Sequence, residues 1–387
     1  MPFTAAGGNL KSTFITEYEI IDRYVGNQLW GWGNDGSGRL GDNATVNKSS
    51  PVQTVSAGTN WRNVNMGYTF AAGLKTDGTL WMWGANTTGQ LGNNNVTAQS
   101  SPVQTVASIN CWKQVSTGRE QTIALRTNGT VWLWGTNTAG QLGTNTVANQ
   151  SSPVQTVSAG TNWKQVSAGC GHSGAIKTDG TLWLWGSNAF GQLGNNTIAS
   201  QSSPIQTISA GTDWKNVSVS STRVAAIKTD GSLWLWGGNS TGELGNNAII
   251  PRSSPVQTVS AGTNWVMVSN GVLHTAAIKT DGSLWLWGQG AAGKLGNNST
   301  ANQSSPVQTV SGGTNWKQVG INDSGAIGAA IKTDGTLWVW GLNATGQLGT
   351  NNVTSQSSPV QTISSGTSWK QVSSAAAQMA AVTFTEL

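Results

Sequence analysis

Apolar residues return along the chain in one short pattern, Leu182-Trp183-Leu184-Trp185-Gly186 and its near copies, with tryptophan pairs at 30/32, 81/83, 132/134, 183/185, 234/236, 285/287 and 338/340. Five successive intervals are 51 residues and the sixth is 53. A period this regular marks a repeat architecture. Residues two apart on a strand share a face, so both rings of a pair lie on one side and Leu182 and Leu184 on the other. A strand that is apolar on both faces has to be covered on both, which sets each of these strands inside a stack of sheets.

The polar stretches between the pairs divide each copy into four strands. In the copy spanning 131–181, Val131–Trp134 is a strand and Asn137–Gly143 a glycine-bounded loop. Pro153 opens a second strand over Val154–Val157, where its missing N–H is tolerated. Trp163–Val166 alternates with period two, and Ala175–Thr178 is the fourth strand. Asp179-Gly180 then turns into the next pair and predicts a type I′ hairpin, with positive φ at both central residues. The dipeptide recurs at 77/78, 230/231, 281/282 and 334/335, with Asn128-Gly129 once in its place. Four strands per copy, seven copies and no amphipathic helix predict an all-β chain folded as a seven-bladed β-propeller; an open β-solenoid is the alternative.

The chain ends favour closure. Ala380–Phe384 matches Ala225–Thr229, a strand that elsewhere leads into a tryptophan pair, and the pair that lacks one is Trp30/Trp32 at the other end. Joining the N- and C-terminal strands in one blade completes the ring and removes two sheet edges. Ile21–Tyr24, turning at Gly26-Asn27, competes for the same place. The expected organisation is a non-repeat segment over 1–20 and a propeller over 21–387, with repeats at about 29–79, 80–130, 131–181, 182–232, 233–283, 284–336 and 337–387.

Composition narrows the function classes. Charged residues make up 9% of the 387, and the net charge of +5 is spread over equivalent positions such as Lys177 and Lys228. Nucleic acid would call for a clustered basic patch, so none is expected as a partner. All 21 tryptophans occupy repeat positions, which reads as packing. Cys111 and Cys170 are too few for a disulfide framework and read as thiols outside any disulfide. Met1–Leu10 lacks the basic and apolar regions of a signal peptide. No stretch approaches the ~20 apolar residues of a membrane helix, so no membrane insertion is expected.

Gly186-Ser-Asn-Ala-Phe-Gly191-Gln-Leu-Gly194, then Pro204, Ala225-Ala-Ile-Lys-Thr-Asp-Gly231 and Trp234-Leu-Trp-Gly237 resemble the regulator of chromosome condensation repeat. The resemblance covers all seven copies, from about residue 21 to the end, and implies a seven-bladed propeller. Fold alone implies little about activity. The chromatin-bound nucleotide-exchange members carry charged loops and basic tails that this chain lacks. The near-identical units typified by Ser151–Val166 are most similar to those of phage-encoded repeat proteins, which implies virion structure, as fibre or host contact. Bacterial propeller-type β-lactamase inhibitors and the plant UV-B photoreceptor share the fold, and no motif ties the chain to either.

Catalytic chemistry is not expected. Gly169–Gly174 and Gly288–Gly293 match a Gly-x-Gly-x-x-Gly pattern, but a strand or a repeat loop follows where phosphate binding needs a helix. His172 and His274 lack the further ligands of a metal site. No cofactor, metal or catalytic residue is therefore assigned. The variation between copies carries more information. The loop before the fourth strand changes in every repeat and holds the two extra residues of the long interval. Its residues Tyr68, Phe70, Arg119, Glu120, His172, Arg223, Leu273, His274, Ile321 and Asp323 are the expected partner-binding set. A second variable set, with Arg39, Phe190, Glu243, Pro251-Arg252 and Lys294, follows each tryptophan pair and is the competing surface. The expected function is that of a non-enzymatic phage virion protein, a fibre, spike or adaptor module. It would bind another virion protein or a host surface, with a glycan as a further candidate, and be located in the virion or outside the cell. The alternative is a bacterial protein-binding propeller, inhibitor or adhesin, secreted or cytoplasmic.

Overall fold

The computed structural model describes residues 27–384, apart from 56–57, 107–109, 159, 209–210, 261, 312, 322–325, 364–365, 367 and 376. The segment over 1–20, Ile21–Tyr24 and Asp323 lie outside the described residues. Twenty-eight strands, numbered β1–β28 in chain order, pair into seven four-stranded antiparallel sheets. One blade serves as the pattern: β11 (Trp163–Ala168), β12 (His172–Lys177), β13 (Leu182–Gly186) and β14 (Gln201–Gln206), side by side in that order. The blade that closes the ring takes β27 (Trp369–Ser374) and β28 (Gln378–Thr383) from one end of the chain and β1 (Leu29–Gly33) and β2 (Lys48–Gln53) from the other. β1 and β28 pair from Leu29 with Val382 through to Gly33 with Gln378. This is the expected closure, and it leaves no open solenoid end.

The first strand of each blade lines a narrow central channel of about 180 Å³, edged by the serines Ser116, Ser167, Ser218 and Ser269. Besides backbone bonds on the turn side, where Trp214 N donates to the Gly180 carbonyl of the preceding blade at 3.1 Å and five equivalent tryptophans do likewise, three belts of hydrogen bonds join the blades. In the innermost, an amide side chain clamps the neighbouring first strand: Val166 N donates to Gln114 Oε1 and Gln114 Nε2 to the Val166 carbonyl, both at 3.1 Å. A serine two residues on adds a second bond, as Ala168 N donates to Ser116 Oγ at 3.0 Å. Where Met267 stands in the glutamine position the serine bond remains, with Ile321 N donating to Ser269 Oγ at 3.2 Å. In the middle belt the second indole of every pair donates to a loop carbonyl of the preceding blade, as Trp185 Nε1 does to Gln141 at 2.9 Å. In the outermost, Asn145 N donates to the Ser202 carbonyl at 2.8 Å, and six equivalent asparagines do likewise. These asparagines adopt positive φ, 57–62°, which asparagine tolerates better than most residues.

The middle belt explains the Gly-x-Leu-Gly block. Gly143 has φ +65°, and a Cβ there would meet the Trp185 indole nitrogen at 2.8 Å. Only glycine lets the ring approach that closely.

Three local expectations are corrected. The second tryptophan of each pair is buried but the first is only half-buried. Trp183 donates to Thr181 Oγ1 and lies under the Lys177 ammonium, 4.2 Å from the ring centre, so the regularly placed charges cover the aromatic ladder. The Asp-Gly turn is not type I′. Among its central residues only Gly180 has positive φ, and the turn closes through Gly180 N to the Lys177 carbonyl at 3.0 Å. The glycine is the left-handed residue of a three-residue hairpin. Asp179 Oδ1 braces it by accepting from both the N–H and hydroxyl of Thr181. Finally, Pro153 lies inside β10 (Gln150–Gln155), at a break in the ladder of this outermost strand, where no N–H is required.

Candidate functional site

Within a blade the first and third strands run the same way, because each is antiparallel to the second. The loops that leave them therefore emerge on one side of the ring. Both variable loop sets seen in the sequence thus share a single face, and they touch: Arg39 Nη1 donates to the Tyr68 carbonyl at 3.4 Å and Thr88 Oγ1 to the Glu120 carbonyl at 3.4 Å. They do not compete for the role of working surface. The other face carries the Thr-Asp-Gly turns.

On the variable face the expected partner-binding residues divide in two. Tyr68 and Arg119 are exposed, and Glu120 and Leu273 are half-buried. Phe70, His172, Arg223, His274 and Ile321 are sealed from solvent. Four of those five open or adjoin the second strand and wedge against the neighbouring blade, so they are joints and not contact surface. The reason is positional. The first residue of the second strand sits under the loop of the next blade whatever its type: Phe70, Gln121, His172, Arg223, His274, Ile327 or Gln378.

The glutamine and arginine joints are satisfied by hydrogen bonds to the next blade. Gln121 Nε2 donates to the Gly169 carbonyl at 2.6 Å, and Gln378 Nε2 to the Gly67 and Tyr68 carbonyls at 3.1 Å each. Arg223 does this with a guanidinium. It donates to the Gly271 and Val272 carbonyls of the next blade at 2.9 and 2.6 Å, and to Glu243 Oε1 at 3.0 Å. Both ionic partners are buried, with side chains 1% and 0% exposed. Glu243 keeps the Thr241 N–H on its other oxygen at 2.9 Å. A buried ion pair this well hydrogen-bonded is costly to break. Glu243 stands where four other blades have glutamine and occurs in the blade whose second strand opens with Arg223. That paired departure was visible in the sequence and is the signal that identifies the joint.

The histidines are held neutral. Burial pushes His172 down to about 3, with the Arg223 backbone opposing in part. His274 falls to about 3 through burial first, then the charges of Lys294 and Arg223. Neither ring nitrogen of His274 has a hydrogen-bond partner. Lys294 is itself buried, which lowers its own pKa, and bonds Gln289 Oε1.

What remains exposed or half-buried forms a strip across neighbouring blades. Arg39 lies beside Tyr68, the Arg119 guanidinium sits over the Tyr68 ring at 5.0 Å, and Arg119 reaches Cys170 Sγ at 4.0 Å. Phe190, 48% exposed, stands on the loop that follows Trp185. Among the described residues no three His, Cys, Asp or Glu side chains gather as a metal site. Gly169–Gly174 runs into β12, and Gly288–Gly293 ends in a single 3-10 turn, Ala291–Gly293. Neither offers a helix N-terminus to phosphate. Neither cysteine forms a disulfide.

Comparison with known proteins agrees with this architecture. The Regulator of chromosome condensation (RCC1) repeat is matched by residues 77–125, 128–176, 179–227, 230–278, 281–321 and 334–382. The chain is 28% identical to the mitochondrial RCC1 domain-containing protein RUG3 of Arabidopsis thaliana, over 92% of this chain and 87% of that one. It is 27% identical to the ultraviolet-B receptor UVR8 of the same plant, over 84% and 75%. Among solved structures, human WBSCR16 superposes with a TM-score of 0.81 at 20% identity, covering 93% of this chain and 99% of that one. Prp20p from Saccharomyces cerevisiae gives 0.81 at 17%, covering 94% and 93%. With the repeat matched from blade to blade and the ring closed by its own two ends, the chain belongs to the regulator of chromosome condensation (RCC1) repeat family.

Proposed function

We propose that this propeller is a non-enzymatic protein-binding module that uses the variable face, and on it the strip Arg39–Tyr68–Arg119 with Phe190. The observation that carries the reading is the confinement of exposed sequence variation to one face of an interlocked ring. An aromatic and arginine-rich patch on rigid loops is suited to hot-spot contacts, since little conformational freedom is lost on binding. Yeast Prp20p, a ring of the same shape, has binding properties toward Gsp1p and histones, which supports a protein partner for a propeller of this kind. The virion or host-surface identity of the partner, and a virion or extracellular location, rest on the likeness of the repeat units to phage-encoded proteins. The relatives named above come from a plant, human and yeast, so only a protein partner is proposed.

The test is a pull-down with the intact chain as bait, followed by affinity measurement on the captured partner. Tyr68→Ser, Arg119→Ser and Phe190→Ser together are expected to weaken binding at least about tenfold, as loss of hot-spot side chains does. Substitutions on the opposite face, such as Thr161→Arg, should leave it unchanged. Normal binding by the triple variant would overturn the assignment.

A further inference from the structure

In five of the seven loops that follow a tryptophan pair, one buried asparagine organises the chain: Asn86, Asn137, Asn188, Asn239 or Asn343. Its Oδ1 accepts the N–H of the leucine five residues on, at 2.8–2.9 Å. Its Nδ2 points into a cage of oxygens. Around Asn188 these are Asn195 Oδ1 at 3.1 Å and the carbonyls of Thr197 and Ala199 at 3.0 Å. Asn239 and Asn343 sit in the same arrangement. Every cage member is an acceptor, so the amide hydrogens hold it together.

The blade closed by the two chain ends has Asp35 in this position. Leu40 N still donates to Asp35 Oδ1 at 2.9 Å. Asp35 N donates to Asn47 Oδ1 at 3.0 Å, as Asn137 N does to Asn149 Oδ1 at 2.8 Å. Asn43 has the same φ, 62°, as Asn94. Residue for residue the loop follows the others, and Asp35 Oδ2 stands where they place the amide nitrogen. The cage it faces has Asp42 in the place of Asn195, and the carbonyls of Ala44 and Val46 in the places of Thr197 and Ala199. Asp42 Oδ1 accepts from Ala44 N at 3.1 Å, as Asn195 Oδ1 does from Thr197 N at 3.3 Å. Asp35 is 0% exposed and its Oδ2 has no hydrogen-bond partner. Arg39 turns away to Tyr68 and Gln378. Lys48 stands 3.6 Å from the outer oxygen of Asp42, with 30% of its side chain exposed.

A buried carboxylate among acceptors needs a positive partner. Two carboxylates and two carbonyls around one point are the donor set of a hard cation, and an irregular loop suits calcium better than the near-octahedral magnesium. We propose that this loop binds a calcium ion through Asp35, Asp42 and the carbonyls of Ala44 and Val46, with water completing the shell. Asn43, Thr45 and Val46 are exposed and leave a path of entry. With only two carboxylates, one of them shared with Lys48, affinity falls in the weak range of about 10⁻⁴–10⁻³ M. The ion would clip the loop of the blade that holds the chain ends together, so occupancy strengthens ring closure. Arg39 of the proposed strip is carried on this same loop, but its guanidinium bonds Tyr68 and Gln378 and is no part of the calcium site.

The experiment compares the full chain and Asp35→Asn in thermal melts with EDTA and with 5 mM CaCl2, alongside equilibrium dialysis with calcium. The asparagine restores the amide found in five other blades, so the variant is expected to fold. Calcium should raise the parent's melting temperature by about 2 °C or more, with one ion bound per chain. Asp35→Asn should bind none and melt at one temperature in both buffers. A parent indifferent to calcium, or a variant that responds as the parent does, would overturn the site. So would a parent that gains stability on mild acidification and not from calcium, because a proton would then be the partner of Asp35.

Discussion

On one face of the ring the Thr-Asp-Gly turns repeat almost without change, and on the other no two blades present the same loops. The side chains of the turns bond within a single blade, such as Asp179 to Thr181, and the turns meet the next blade through backbone alone, as Trp214 N donates to the Gly180 carbonyl at 3.1 Å. The variable loops add side-chain bonds between blades: Arg223 reaches Gly271 and Val272, and Trp185 reaches Gln141. A contact inside one repeat is copied whenever the repeat is copied. A contact between repeats can be rebuilt at each joint, provided both partners change together. Variation on the second face therefore has two sources. Some positions vary because solvent permits it, and others because each joint has found its own solution.

The largest effects are expected at the joints. Trp185→Ala removes a fully buried ring and its bond to Gln141, and should cost ~3–5 kcal/mol. Trp183, two residues nearer the turn face and half-buried, should cost roughly half as much on the same scale. Denaturant melts of the two variants that differ by less than about 0.5 kcal/mol would break the contrast between the two ends of the strand. Arg223→Met comes next, at about 3 kcal/mol, because it strands Glu243 in the interior. The loss stays at the lower end because Glu243 keeps the Thr241 N–H. Adding Glu243→Gln should recover most of it, since the blade then carries the neutral glutamine of its neighbours. If the second change recovers nothing, the pair is not the joint described above.

The scaffold was legible because its causes are local or strictly periodic. Tryptophan spacing located the strands, and the unpartnered Trp30 pair together with Ala380–Phe384 located the closing blade. The turn type was not legible because Asp-Gly suits two hairpins, and only the backbone separates them. Nor was the burial of Phe70, His172, Arg223 and His274. Their side chains share no polarity, and what covers each is a loop about 50 residues away in sequence in the next blade. Variation alone does not imply exposure, and the joints show where that inference fails. Tyr68 and Arg119, one step away in the same loops, lie as expected on the exposed face.

Acid should find the joints before it finds the turns. His172 and His274 fall from 6.5 to about 3 in the folded chain, so the unfolded chain takes up protons first as pH drops. Their neutral burial supports the fold fully above about pH 6.5, and that support is lost progressively toward pH 3. Between pH 7 and 5.5 each histidine should withdraw about 1.2 kcal/mol. His172→Gln with His274→Gln, the residue used at the Gln121 and Gln378 joints, should flatten this decline. Unfolding free energies measured across the range would count against the sealed joint if parent and variant fall in parallel.

The smallest effect is expected where the variation is exposed, and it separates the two sources most directly. Tyr68 is 36% exposed and Phe190 48%. Arg119 makes its ring contact with Tyr68 in the open, at 5.0 Å, where such a pair is worth only ~0.5–1 kcal/mol. None of the three reaches a carbonyl of another blade with a side-chain bond of the kind Arg223 makes. Surface substitutions of this sort usually fall within about 0.5 kcal/mol. Tyr68→Ser, Arg119→Ser and Phe190→Ser combined should therefore lower stability by less than about 1.5 kcal/mol, below the single change Arg223→Met on the same face. A triple variant that melts like Arg223→Met would make the strip a fourth belt of the ring, its diversity a record of packing, and would remove the ground for seeking a partner there.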